Sequence, residues 1–385
     1  MSSTRLPATI AMIWTAALGV MAGCEAAKPT DKVSAGTKPT QSSGAPVASP
    51  AVPAKAAPSP KTSGISLFGE LGDGGRIPFA TQAARGLQQH TFTREGGDFD
   101  PDVDPSGRLL IFASTRHSLR PDIYAKAIGG SAVTQLTDDP ASDVQPAISA
   151  DGKWVAFTSD RSGNWDIWVT SVDGQNTRQL TKSPKAEVHP SWSPDGQQLV
   201  YCALNPRTRQ WELWVADLRR PGTQKFVAAG LFPNWSPKED VIAFQRARAR
   251  GGRWFSVWTI RLVDGEPRYP TEIASSSDQA LIAPTWSRDG TKIVYCSVQQ
   301  AGTASDGAGK IMNARGNVWI TDANGLGRIR LTKSDAVNYS PVSAPDGRIY
   351  FTSNRSGYEN IWSIVPMASS APMADARSSG ESAGQ

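Results

Sequence analysis

Between Asp98 and Ile364 the apolar residues fall in short runs of β-forming type, each preceded by a polar turn, and the pattern recurs six times. The runs are LLIFAS, WVAFTS, QLVYCA, VIAFQR, KIVYCS and RIYFTS. They follow turns at Ser106-Gly107, Asp151-Gly152, Asp195-Gly196, Lys238-Glu239, Asp289-Gly290 and Asp346-Gly347, spaced 45, 44, 43, 51 and 57 residues apart. After each run comes a second strand carrying an aromatic residue: Tyr124, Trp168, Trp214, Trp258, Trp319 and Trp362. A period of about 40–45 residues with four strands per unit predicts a β-propeller. One such unit cannot bury both faces of its own sheet, so the copies must stack radially.

Ahead of each turn lies a segment of the form P-x-[WIV]-S, read as the inner strand of a blade: Pro146-Ala147-Ile148-Ser149, Pro190-Ser191-Trp192-Ser193, Pro233-Asn234-Trp235-Ser236 and Pro284-Thr285-Trp286-Ser287. Pro101 and Pro341 open the variants in the first and sixth repeats. Proline is expected to begin this strand, whose free edge borders a central channel. Asp-Gly suits the tight hairpin that follows, and Lys238-Glu239 requires another turn type. The stretch 88–93 (QQHTFT) matches the outer strands at 133–137, 177–181 and 329–332, whereas the sixth repeat supplies only three strands of its own. The prediction is an all-β, six-bladed propeller over 87–366, whose N-terminal outer strand completes the last blade and leaves no exposed sheet edge at the closure.

These repeats resemble the TolB propeller family: PSWSPDG, FTSDRSGNWDIWV and RQLT are close to that family's repeat, and the likeness covers Gln88 to Pro366. The motif is specific for the fold and weak for function, because propellers attached to peptidases and lyases carry it too. The resemblance implies a propeller face that binds another envelope protein, such as a peptidoglycan-associated lipoprotein. The family's N-terminal α/β domain has no counterpart of that length or pattern here, so the contact it makes with an energising inner-membrane partner is not carried over.

The N-terminus reads as an export signal over 1–23, with Arg5 ahead of an uncharged apolar stretch from Ala8 to Gly23. Met21-Ala22-Gly23-Cys24 resembles the lipobox of bacterial lipoproteins, with methionine where leucine is usual. This implies lipidation at Cys24, and Glu25 after it leans towards the outer membrane. An uncleaved signal anchor or a soluble secreted protein are the alternatives. Residues 24–63 then hold seven prolines, five lysines and no aromatic, a composition that cannot order itself. As a coil this tether would hold the propeller roughly 35 Å from its lipid anchor. Residues 64–86 read as an irregular docked lead-in and 367–385 as a disordered tail.

A formal charge of +5 over 385 residues is mild and far from the surplus of a nucleic-acid-binding surface. A monomer on the periplasmic side of the envelope is expected. Cys202 and Cys296 occupy equivalent places in the third and fifth repeats, too far apart around a ring for a disulfide, and read as buried inert thiols.

Two groups of residues carry candidate chemistry on the top rim, where the loops from outer to inner strand meet those between second and third strands. The first is acidic: Asp98, Asp100, Asp143 and Glu187 at the starts of inner strands, with His189 beside them and Gln145 and Phe232 at the level of His189. A half-ring of carboxylates could hold Ca²⁺ or a cationic peptide end. The competing reading is a set of strand-end caps. The second is basic: Arg246, Arg248 and Arg250 at period two, with Arg253, and Arg207 and Arg209 in the corresponding loop of the preceding blade. Clustered guanidinium groups suit carboxylates or phosphates; equally, they form an edge-protecting finger whose stems cover apolar surface. An insert over 298–315 lengthens the same rim.

Catalytic motifs are weak. Gly380-Glu381-Ser382-Ala383-Gly384 matches a nucleophile elbow literally but lies in a polar tail, without the strand, helix and downstream histidine that motif needs. His90, His117 and His189 lie in different contexts and do not suggest a three-histidine metal site. The expected role is a non-catalytic protein-binding scaffold with no obligate cofactor. The alternative is a glycan-binding or glycan-cleaving propeller whose channel-mouth carboxylates converge on a saccharide.

Overall fold

The computed structural model describes residues 83–247, 254–299, 315–333 and 335–367. They form six four-stranded antiparallel sheets arranged as a six-bladed propeller. Blades one to five are each built from consecutive strands. Blade six takes Asn338–Ser343, Ile349–Ser353 and Asn360–Pro366 from the end of the propeller and its outer strand, Ala84–Gln89, from the beginning. Gln88 pairs with Ser363 and Gln89 with Trp362, so the predicted closure by the two ends of the propeller is present. The export signal, Cys24, the tether, most of the lead-in and the tail lie outside the described residues.

The inner strands differ from expectation in one respect. They begin two to four residues ahead of the proline, at Asp98, Asp143, Glu187, Leu231, Ala280 and Asn338. In all six blades the pairing with the second strand shifts register at the proline. The proline therefore occupies a bulge within the strand, the other place where its missing N–H does no harm.

The residue before each proline has positive φ although none is glycine: Asp100, Gln145, His189, Phe232, Ala283 and Ser340, between 46° and 56°. Six strained residues at equivalent positions form one ring around the channel.

The blades share a core device. An aromatic on the second strand pairs across with one on the third: Phe112 with Tyr124, Phe157 with Trp168, Tyr201 with Trp214, Phe244 with Trp258, Tyr295 with Trp319 and Phe351 with Trp362. In each blade a cation lies over the outer ring of this pair. Arg116, Arg161 and Arg355 reach it from the loop after the second strand, Lys185 from the loop before blade three, Arg246 from the second strand itself and Arg328 from the turn after the third. A recurring threonine just after the outer strand supplies another device. Thr137, Thr181, Thr332 and Thr91 accept the amides of Ile123, Ile167, Val318 and Ile361, fixing the start of the third strand.

Side chains near the ends of the inner strands tie one blade to the next. Asp102, Ser191 and Asn234 accept the amides of Ile148, Trp235 and Trp286, at 2.7, 2.9 and 2.8 Å. Cys202 and Cys296 are buried and free, and burial pushes both thiols far above their ordinary range.

Candidate functional site

The six strained residues line the upper part of a channel cavity of about 200 Å³ along the propeller axis. Gln145 organises its best-defined side. Its Oε1 accepts from the Thr158 hydroxyl at 2.9 Å and from the His189 amide at 3.0 Å, which leaves its NH₂ to face His189 Nε2 at 2.8 Å. An amide NH₂ only donates, so Nε2 is the acceptor and Nδ1 carries the imidazole proton. Burial lowers the His189 pKa to about 3, so the ring is neutral at physiological pH. Its face lies 3.8 Å from the Phe232 ring, centroid to centroid. On the other side of Gln145, in blade one, Asp100 Oδ1 accepts from the Ser340 hydroxyl at 2.7 Å. Burial raises the Asp100 carboxyl to about 6 despite that bond and the Gln145 amide.

Asp100 Oδ2 and His189 Nδ1 are both buried without a hydrogen-bond partner. An orphaned acceptor and an orphaned donor on one channel wall cost stability unless something else satisfies them. Beside Asp100, the Tyr339 hydroxyl donates to Glu359 Oε1 at 2.7 Å, and burial together with the Asp100 charge lifts Glu359 to about 7.

Arg288 spans the lower part of the channel. Its Nε donates to the Ser343 carbonyl at 2.9 Å, its Nη2 donates to the Val103 carbonyl, and it lies 3.6 Å from the Asp102 carboxylate. The side chain leaves blade five, passes blade six and reaches blade one. Its equivalents are Pro105, Ala150, Pro194, Pro237 and Pro345. Sequence reasoning missed this residue, and the signal was an arginine where the repeat has proline or alanine.

The expected half-ring of four carboxylates does not form. Asp98, Asp143 and Glu187 are essentially inaccessible and absent from the channel lining, whereas Asp100 alone faces it. In a regular strand Asp98 and Asp100 would share a face; the bulge at Asp100 breaks that alternation. Asp98 accepts both from Ser114 and from Arg116 at 2.6 and 2.9 Å, and Asp143 meets Arg161 at 2.6 Å. Asn338 takes the same place against Arg355. Glu187 accepts from the Ser183 hydroxyl. The partners of Asp98, Asp143 and Asn338 were legible in the recurring Ser-x-Arg after the second strand, which blade three, the blade of Glu187, lacks. The suggested Ca²⁺ site at Asp98, Asp100, Asp143 and Glu187 falls with the half-ring: among the described residues no group of three or more His, Cys, Asp or Glu could hold a metal ion. The convergence of Asp98, Asp143 and Glu187 needed for glycan cleavage is likewise absent.

Of the basic group, Arg246 is exposed with its guanidinium 5.3 Å from the Trp258 ring centre, an arrangement in which its stem covers apolar surface. Arg207 and Arg209 are exposed on a turn organised by Asn205, which accepts the Arg207 amide through its side chain and the Arg209 amide through its carbonyl. Arg248, Arg250, Arg253 and residues 300–314 of the insert lie outside the described residues.

Residues 79–261 match the PD40 family, described as the TolB beta propeller domain. The propeller is TolB-like. TolB proteins of the Tol-Pal system from Bordetella pertussis and Bordetella bronchiseptica are 38% identical to it over 140 residues, covering 28% of this chain and 32% of theirs. The chain thus matches about a third of the length of these curated relatives. The TolB-like fold also superposes on a solved structure assigned as TolB from Agrobacterium tumefaciens, with a TM-score of 0.54 and 19% identity over 73% of this chain and 97% of that one. An oligogalacturonate lyase in complex with manganese gives 0.50 at 15% identity, over 75% and 95%. At such identities the structural likeness shows the propeller fold alone.

Proposed function

We propose that this TolB-like propeller is a non-catalytic scaffold of the bacterial envelope that receives a protein partner at the upper mouth of its channel. The observation that carries the reading is the pair of buried, unpartnered atoms, Asp100 Oδ2 and His189 Nδ1. They offer one acceptor and one donor at fixed positions, suited to an inserted side chain or backbone amide. Arg288 obstructs the lower end, so such a group would enter from above. Kinship with Tol-Pal proteins supports an envelope location and an envelope partner, for which a peptidoglycan-associated lipoprotein is the leading candidate. Lipidation at Cys24 would hold the scaffold at a membrane, with the outer membrane favoured.

Site-specific photocrosslinking in intact cells tests this. A crosslinker at Leu119 or Arg209, both exposed on the upper rim, should capture one predominant envelope protein, and Asp100→Ala with His189→Ala should reduce that capture at least tenfold. Equal capture from Arg268 on the lower hairpin, or capture indifferent to the two substitutions, would exclude docking at this mouth.

A further inference from the structure

We infer that the lower rim between blades four and five is a binding site for a glycan carrying N-acetylated sugars. The groove there has a volume of about 260 Å³, near the lower end of small-ligand sites at roughly 300 Å³. Its wall is an overhang of blade four, longer than the one in blade six, where Val365 and Pro366 run past the partner of Ile349. In blades one, two, three and five the third strand ends opposite the first residue of the second strand. In blade four, Arg261 pairs with Val241, the first residue of the second strand, and the third strand continues through Leu262 and Val263. The hairpin then returns along Glu266–Ala274, an outer strand of nine residues where blades one, two and five use three, two and two. The overhang stands beside blade five and shapes the groove.

Three features of the lining point to a saccharide. Tyr269 is 73% exposed and sits at φ +53° in a register shift of the outer strand, so the backbone is strained where a large aromatic faces solvent. Backbone strain of this kind at a surface aromatic is a legitimate pointer to function. A phenol ring presents an apolar face and a polar tip, which match the C–H face and hydroxyls of a pyranose. Next, Arg261 Nη2 and Glu239 Oε2 lie 2.7 Å apart along the groove, supplying donors and acceptors for vicinal hydroxyls. Finally, Trp286 lines the groove, and its indole N–H is buried without a partner. The equivalent Trp192 donates to the Ala147 carbonyl at 2.9 Å, whereas Trp235 and Trp286 both lack that bond. A lone donor of this type suits the carbonyl of an acetamido group. Thr259 and Thr271 add hydroxyls. The site lies on the opposite rim from the channel mouth and does not depend on protein docking there.

The test uses the intact protein, titrated with N-acetylglucosamine tetramer and with cellotetraose, which has the same linkage but no acetamido groups. Calorimetry reports affinity and the Trp286 indole resonance reports place. The tetramer should bind saturably, at least tenfold more tightly than cellotetraose, and shift that resonance. Tyr269→Ala, at an exposed position, should weaken binding at least tenfold. Trp286→Phe should erase the preference for the acetylated sugar, while Asp100→Asn in the channel should change neither affinity. No saturable binding, equal binding of the two sugars, or binding that survives both Tyr269→Ala and Trp286→Phe would overturn the assignment.

Discussion

The Thr91 hydroxyl accepts the Ile361 amide at 2.9 Å, across 270 residues of chain. The same bond joins Thr181 to Ile167 only 14 residues away. One local device of the repeat thus becomes, in blade six, part of the closure of the whole ring. Thr91 also donates to the Asn360 side chain at 3.1 Å.

Thr91→Val should therefore cost about 1–2 kcal/mol, the range for losing a buried hydrogen bond and leaving an amide unpaired. Thr181→Val should cost a similar amount in urea denaturation. The two differ in place: hydrogen exchange in the Thr91 variant should accelerate at Ile361 and Ser363, where the ends separate. An unchanged exchange pattern there would mean that strand pairing alone holds the ring shut.

The buried pair of Asp143 and Arg161 gives a second expectation. Burial holds the Asp143 carboxyl above its ordinary range, outweighing the Ser159 hydroxyl and the Arg161 charge. Arg161→Met would strand that carboxyl and should destabilise by about 3–5 kcal/mol. Adding Asp143→Asn should recover part of the loss. Denaturation midpoints of the single and double variants measure the difference, and a double variant no better than the single would show that the carboxyl was not the source of the cost.

The channel wall predicts a pH dependence of stability. Asp100 is raised from 3.8 to about 6 and Glu359 from 4.5 to about 7, both chiefly by burial. A folded pKa above the unfolded one means that the folded state holds extra protons between the two. The stability these groups contribute is full below about pH 4 and is lost as the pH rises through about 6 to 7. Glu359→Gln should make the protein more stable than wild type at pH 8, on the order of 2 kcal/mol, with the gain shrinking to nothing near pH 4. Urea titrations across that range would show it; a gain that is flat with pH would place the effect outside Glu359 ionisation.

Arg288→Ala removes the strut from blade five to the Ser343 and Val103 carbonyls. The expected cost is about 1–3 kcal/mol. Amides around Val103 and Ser343 should then exchange faster, while those in blade three stay unchanged. Global loosening instead would mean that Arg288 holds the ring as a whole rather than three blades.

Much of this architecture was legible along the chain. Six copies of one pattern dictate six sheets, because each has two apolar faces and only a neighbour can cover them. The QQHTFT match to the later outer strands identified the closure, since the copies share one strand grammar. Buried thiols at Cys202 and Cys296 followed from their equivalent positions.

The site was less legible, and Asp98 and Asp100 show why. In sequence they are two acids at the mouth of one strand. In the structure a bulge sends Asp98 to Arg116, inside the blade, and Asp100 into the channel. A one-residue change in strand parity reverses a side chain's environment, and composition carries no record of it. Arg288, reaching over blade six to blade one, depends on the closed ring and has no local signature beyond an arginine in a proline's place. Repetition, which is local and periodic, determined the fold; the positions of charge around the channel were decided by backbone strain at six bulges and by contacts between blades far apart in the chain.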